Sequence, residues 1–217
     1  MNEPGKRTMT ASAQKRRKIR DTISGAAIRE FARNGLSGTS TQAIAQSAGI
    51  TKAQLHYYIS SKEELYRQVL GDIVKEWREI FFIAPFQHDP ALAISTYIDR
   101  KIRHALKYPD ISRLFANEIG RGAPEMREHW GVLKNSTEMA NGVIRDWIAK
   151  GMIQPVDPLL FQMNMWAVTQ SYAEYEAQAR VLMDLDDDTP MNADRIIAEA
   201  TQLFLLRCGL SGERVFR

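Results

Sequence analysis

Residues 41–58 read TQAIAQSAGITKAQLHYY, and the reading of this stretch decides the fold. Two short amphipathic segments flank Gly49: Ile44, Ala45 and Ala48 turn inward from the first, and Ile50, Leu55 and Tyr58 pin the second. Ala45 is small, as a close crossing of two helices requires, and Gly49 supplies the positive φ of a tight turn. Thr51 is placed as an N-cap. The pattern predicts a helix-turn-helix whose second helix offers Lys52, Ala53, Gln54, His56 and Tyr57 to a major groove of duplex DNA. There Gln54 can pair with adenine, Lys52 can reach guanine or a phosphate, and Ala53 can touch a thymine methyl. Thr39, Ser40 and Tyr57 carry hydroxyls suited to phosphate oxygens, and Lys62 adds a cation nearby.

Outward from that motif the chain reads as helical nearly throughout, with no strand-like alternation and no hairpin signal. Ile19, Ile23, Ala26, Ala27 and Phe31 share one face of a helix predicted over about Ala13–Arg33, closed by Asn34-Gly35 as a left-handed cap. Short helices follow over about Ser40–Ala48 and Lys52–Tyr58. Ser61 opens a longer one, with Glu64 completing a capping box and Leu65, Val69, Ile73, Trp77 and Phe81 forming a stripe toward Pro85. Further helices are expected near 90–107, 109–120, 124–150, 157–183 and 191–209, the fourth of these started by Asp157-Pro158. The expected fold is all-α with about nine helices. A basic, disordered arm over 1–12 precedes a three-helix DNA-binding domain over 13–60, and a ligand-binding and dimerisation domain occupies 61–217.

Charge divides in the same place. Residues 1–62 hold 11 basic and 3 acidic side chains, whereas the remaining 155 residues hold 18 basic and 23 acidic. A basic head on a mildly acidic body suggests that the head meets a polyanion, although Lys15, Arg16, Arg17, Lys18 and Arg20 can also be read as a solubilising tail. The single cysteine, Cys208, excludes an intrachain disulfide and a cysteine-based zinc site. No run of about 18 apolar residues spans a bilayer, and the basic N-terminus lacks the apolar core of a secretory signal, so a cytoplasmic location is expected. No hydrolase, metalloprotease, phosphate-loop or dinucleotide motif occurs, and His56, His88, His104 and His129 are dispersed, which argues against an enzyme. No cofactor is implied. The acidic run Asp184–Asp188 lacks the spacing of a calcium loop and reads as a solvated connection.

Residues 36–65, LSGTSTQAIAQSAGITKAQLHYYISSKEEL, resemble the DNA-binding domain of the TetR family of one-component repressors. The spacing from Gly38-Thr39 through Ile44-Ala45, Gly49-Ile50-Thr51 and Tyr57-Tyr58 to Ser61-Lys62-Glu63 follows that family without insertions. The resemblance implies that Thr39, Ser40, Thr51, Lys52, Gln54, His56, Tyr57 and Lys62 face DNA. His56 stands where tyrosine is frequent, Ile59 where phenylalanine is usual and Ser60 where proline is usual; the first bears on base preference, the others on packing. Residues 72–180 resemble the branch of the family that responds to pyrimidines and represses their catabolism. The resemblance is carried by Tyr108-Pro109, Arg113-Leu114-Phe115, Glu118, Gly122-Ala123-Pro124, Pro155 to Pro158, Trp166, Thr169-Gln170 and Tyr172-Ala173. It implies a pocket for a small planar effector such as uracil or thymine.

The residues agree in kind, because Glu118 and Gln170 are polar groups set in apolar sequence and buried polar groups need partners. Trp77, Phe81, Phe115, Trp166 and Tyr175 offer flat walls, and Glu118 and Gln170 offer donor and acceptor edges. The competing reading makes the aromatics core and pairs Glu118 with Arg121 or Arg113. The last two predicted helices are too apolar for a single exposed face, with Met163, Met165, Trp166, Tyr172 and Val181 on one and Ile196, Ile197, Leu203, Phe204 and Leu205 on the other. They predict a homodimer, which in the resembled family is a four-helix bundle. The functional expectation is a dimeric regulator on palindromic operator DNA, released by a small effector. The alternatives are a regulator of the same type with an unrelated ligand, and a DNA-binding structural protein with none.

Overall fold

A computed structural model of the 217-residue chain describes residues 11–80 and 88–210. Among them are ten α-helices, one 3-10 turn and no strand: α1 (Ala11–Gly38), α2 (Thr41–Ser47), α3 (Lys52–Tyr58), α4 (Lys62–Ile80), α5 (Pro90–Lys107), α6 (Pro109–Gly120), α7 (Trp130–Ala149), α8 (Pro158–Glu174), α9 (Glu176–Leu182) and α10 (Ala193–Arg207). The chain forms two compact units, Met1–Val69 and Leu70–Arg217. Phe81 and residues 1–10 of the expected N-terminal arm lie outside the described residues. No described helix is long and apolar enough to cross a membrane.

In the first unit the predicted apolar faces close on one another. Ile23, Ala26, Ala27 and Phe31 of α1 are buried together with Ile44, Ala45, Leu55, Leu65 and Tyr66, and the rings of Phe31 and Tyr66 meet edge to face at 4.9 Å. α1 continues past its predicted end. Gly35 has positive φ, as expected of a helix stop, but its ψ of 177° takes it out of the left-handed helical basin, and one more helical turn reaches Gly38. The Thr39 hydroxyl fastens this kink by donating to the carbonyls of Gly35 at 2.7 Å and Glu30 at 3.0 Å. A Cβ at position 35 would meet no atom within 4 Å, so a substitution there carries backbone strain alone. Gly35→Ala is accordingly expected to destabilise the chain by about 1–3 kcal/mol, read as a lower urea midpoint with an unchanged m-value.

The second unit is built around α5, which packs against α6, α8 and α10. Ala93, Ile94, Ile98 and Ile102 of α5 form its core with Trp147 of α7, Phe161 and Met165 of α8, and Ile196, Ile197, Ala200 and Phe204 of α10. Asp157 caps α8 as predicted, its carboxylate accepting the Leu160 N–H at 2.9 Å with Pro158 in the first turn. Two predicted helices are each divided. The segment expected over 124–150 begins as a 3-10 turn at Pro124–Met126, and α7 starts only at Trp130. Ala123 sits in the left-handed region there, and the buried Glu118 carboxylate accepts the Glu125 N–H at 2.8 Å, which fixes a turn where a helix would otherwise begin. The segment expected over 157–183 breaks at Tyr175 into α8 and α9. Arg113 of α6 explains this break: its Nε donates to the Ala173 carbonyl at 3.1 Å and its second nitrogen pairs with Glu176, diverting the last carbonyls of α8 from the helical ladder.

Candidate DNA interface and effector region

The geometry of the DNA-facing motif begins with its turn. Ala48 ends α2, Gly49 follows at φ 68°, and the N–H groups of Gly49 and Ile50 return to the carbonyls of Gln46 at 3.1 Å and Ala45 at 3.0 Å. This is the paired hydrogen-bond closure that a left-handed glycine permits. Leu55, fully buried, anchors the inner face of α3 and leaves Lys52, Ala53, Gln54, His56 and Tyr57 exposed; Tyr57 shows 73% of its surface.

The eight residues implied to face DNA separate into three groups. Ser40, Lys52, His56 and Tyr57 are exposed, and the Ser40 Oγ accepts the Ala43 N–H at 3.0 Å, which leaves its own proton to donate. Thr51 and Gln54 form a complete capping box: the Thr51 hydroxyl oxygen accepts the Gln54 N–H at 3.1 Å, and the Gln54 side-chain oxygen accepts the Thr51 N–H at 2.9 Å. In this state Gln54 keeps both N–H donors and one lone pair of its side-chain oxygen for a base edge, with its orientation set by the box. Thr39 and Lys62 are turned inward. Thr39 is buried with its hydroxyl donating within the unit, and the Lys62 ammonium donates to the Thr39 carbonyl at 2.8 Å. These two bonds tie the loop before α2 to the start of α4, and the half-buried Lys62 ammonium keeps two further N–H donors. The reciprocal box expected at Ser61 is half made: Ser61 accepts the Glu64 N–H at 3.0 Å, but the Glu64 carboxylate goes to Arg67 and Gln68, which hold it below the usual carboxylate range.

In the second unit two of the expected effector residues, Trp77 and Phe115, meet in an aromatic pair. Trp77 of α4 is buried and lies 4.9 Å, ring centre to ring centre, from the half-buried Phe115 of α6. Trp166 of α8 is half-buried, and its indole opposes the rise that burial gives the Tyr97 phenol of α5. Gln170 follows Trp166 by one turn and is half-buried. Glu118 and Tyr175 are placed differently. Glu118 is fully buried and engaged by the Arg121 Nε at 2.6 Å and by the Glu125 N–H, so it holds the turn after α6, with Arg121 the partner that the competing reading offered it. Tyr175 is 62% exposed because α8 ends at Glu174 and turns its ring to solvent.

Five polar residues of this unit, Lys101, Glu174, His104, Glu76 and Tyr97, are absent from the effector set that the sequence suggests. Lys101 of α5 is buried with its ammonium 3.7 Å from the centre of the Trp77 ring, a cation–π contact. Burial pushes Lys101 down to about 7 against the pull of the Glu174 carboxylate, and burial likewise lifts Glu174. His104 stands edge-on to Trp77 and 3.6 Å from a Glu76 carboxylate oxygen; burial lowers its basicity and Glu76 opposes that. Burial raises the Tyr97 phenol, with the Trp166 contact opposing. The signal was present in α5: Tyr97, Lys101 and His104 stand at i, i+4 and i+7, a second stripe beside the one of Ile94, Ile98, Ile102 and Ala105. Among the described residues no group of three or more His, Cys, Asp or Glu side chains is gathered to hold a metal.

Residues 23–69 match a sequence profile described as bacterial regulatory proteins, tetR family, and residues 70–211 match one described as YcdC-like protein, C-terminal region. The HTH-type transcriptional regulator RutR of Escherichia coli K12 is 36% identical over 208 residues, covering 90% of this chain and 93% of the relative. Among solved structures, a TetR family regulator, PfmR from Thermus thermophilus, superposes with a TM-score of 0.66 at 21% identity, covering 85% of this chain and 97% of that one. AibR, in complex with isovaleryl coenzyme A and operator DNA, superposes with a TM-score of 0.64 at 18% identity over 86% of this chain and 97% of its own.

Proposed function

The chain belongs to the TetR family of bacterial transcription regulators, and from that premise we propose that it is a cytoplasmic repressor, dimeric on palindromic operator DNA and released by a small planar effector of the pyrimidine class. The observation that carries the DNA part is α3, whose buried Leu55 and closed capping box hold five side chains in solvent on a basic unit. Ser40, Lys52, Gln54, His56 and Tyr57 make the direct contacts, while Thr39, Thr51 and Lys62 set the geometry of the loop and helix that carry them. The dimer is supported by Leu159, Leu160 and Met163 of α8 and Leu203 and Leu206 of α10, large apolar side chains left exposed on the chain alone.

The effector region is the layer around Trp77, Phe115, Trp166 and Gln170, with Phe81 retained from the sequence reading. Its aromatic rings suit stacking on a planar ring, and the buried polar side chains beside them offer hydrogen-bonding edges. The pyrimidine assignment rests on the resemblance of residues 72–180 to the pyrimidine-responsive branch. An effector releases DNA only through a difference in its affinity for the two states of the protein. α4, which carries Trp77 and begins at Lys62, is the element through which that difference reaches the DNA-binding unit.

Thermal melting against uracil, thymine and unrelated planar ligands tests this reading. A ligand present at about 100 times its Kd stabilises the native state by about 2.7 kcal/mol, so uracil or thymine is expected to raise the Tm by several degrees. The same ligand should release an operator selected by the protein from a random-sequence library. Unchanged melting and unchanged operator affinity at millimolar uracil and thymine would remove the pyrimidine class. Failure to select any duplex would remove the regulator reading itself.

A further inference from the structure

The five-cation run Lys15-Arg16-Arg17-Lys18 and Arg20 is helical, not a loose tail, and it lies next to the recognition helix. All five side chains are exposed within α1, and none of them takes part in an ion pair among the described residues. Ile19, in the middle of the run, lines a concavity of about 170 Å³ with Ile50, Gln54, Tyr57 and Tyr58, so this part of α1 borders α3 itself. Helical geometry then sorts the cations. At about 100° per residue, Lys15 lies roughly 40° to one side of Ile19 and Arg16 roughly 60° to the other, about one turn and roughly 4.5–6 Å further along the axis. Arg17 lies roughly 160° away, on the far side, and Lys18 and Arg20 lie at roughly 100° on either flank.

We propose that the first turns of α1 form a second DNA contact, in which Lys15 and Arg16 bind the phosphate backbone beside the groove that α3 enters. This rests on the DNA-binding reading of α3 and adds to it a sequence-independent clamp on one face of α1. A cation here reads no base edge; it releases counterions and fixes the angle at which Gln54 and Tyr57 enter the groove. The rigid helix matters because it holds both side chains at a set distance from α3, which an unstructured tail of the same charge would not do.

Fluorescence anisotropy with a labelled duplex of about 40 base pairs of mixed sequence, titrated at several NaCl concentrations, tests this directly. Each phosphate contact removed lowers the slope of log K against log salt by about 0.9, so Lys15→Gln/Arg16→Gln is expected to reduce the slope by close to 2 for every bound protomer. Arg17→Gln removes a charge from the far face and is expected to leave the slope within error of the wild type. All three positions are exposed, and circular dichroism melts establish that the variants are equally folded. An unchanged slope in the double variant overturns the proposal, and so does an Arg17→Gln loss as large per charge as that of the double variant, which would mark a diffuse polycation. Absence of wild-type binding at low salt would instead overturn the DNA-binding reading and this proposal with it.

Discussion

The double substitution Leu203→Glu/Leu206→Glu is expected to leave a folded monomer and to weaken operator binding by about a hundredfold or more. Leu203 and Leu206 are 55% and 61% exposed on the face of α10 opposite Phe204 and Leu205, which are 4% and 1% exposed in the core. Placing carboxylates at the first pair therefore leaves the packing of the chain untouched. On association the same carboxylates would be withdrawn from water without partners, a cost of several kcal/mol for each one, met twice because a two-fold interface repeats every residue.

The loss of operator affinity follows from geometry. In the proposed dimer two recognition helices would read two half-sites roughly 34–36 Å apart, and linking them would make the second engagement intramolecular. A monomer retains each single contact and loses that advantage. Sedimentation at micromolar concentration reads the assembly, and mobility shift on an operator selected by the wild type reads the affinity. A double variant that still sediments as a dimer would show that α10 is not the contact. A monomeric variant of undiminished affinity would show that assembly does not serve DNA binding.

What was legible in the sequence and what was not follow one physical line. Local rules placed Gly49 at positive φ, Asp157 as a cap and Leu65, Val69, Ile73 and Trp77 on one buried stripe, because each depends on neighbours within a turn or two. The breaks at Ala123 and Tyr175 depend on Glu118 and on Arg113, side chains that reach across turns and between helices. Polar identity does not fix a single role at single positions. Thr39 and Lys62 have the chemistry of phosphate binders, and here the hydroxyl also satisfies the Gly35 carbonyl at the kink and the ammonium the Thr39 carbonyl. Lys101 was missed for the converse reason: a lysine on an amphipathic helix reads as solvated unless its register against Trp77 is known.

That buried lysine makes stability depend on pH. Lys101→Met is expected to abolish a rise in unfolding free energy of about 1 kcal/mol between pH 7.5 and 8.5 that the wild type shows. Lys101 falls from its ordinary 10.5 to about 7 in the folded chain. Below about 7 both folded and unfolded states hold the proton, and the folded state bears the whole cost of a buried cation, up to about 5 kcal/mol. Above 7 the folded state releases the proton while the unfolded chain keeps it until about 10.5, so the unfolded state binds more protons and stability climbs with pH. The other shifted groups do not produce such a rise in this window. His104, lowered by burial, is neutral in the folded state above its ordinary 6.5 and has nearly completed its contribution. Cys208, raised to about 11 by burial, and Tyr97, also raised, stay protonated in the folded chain, and their effect at higher pH is to reduce stability. Glu174, raised by burial, acts with the opposite sign, its contribution being lost as pH climbs above its ordinary 4.5, so it does not supply a rise. Urea unfolding of both proteins across the window is the measurement. Equal slopes would mean that the Lys101 ammonium keeps its proton against the Trp77 ring, held there by Glu174.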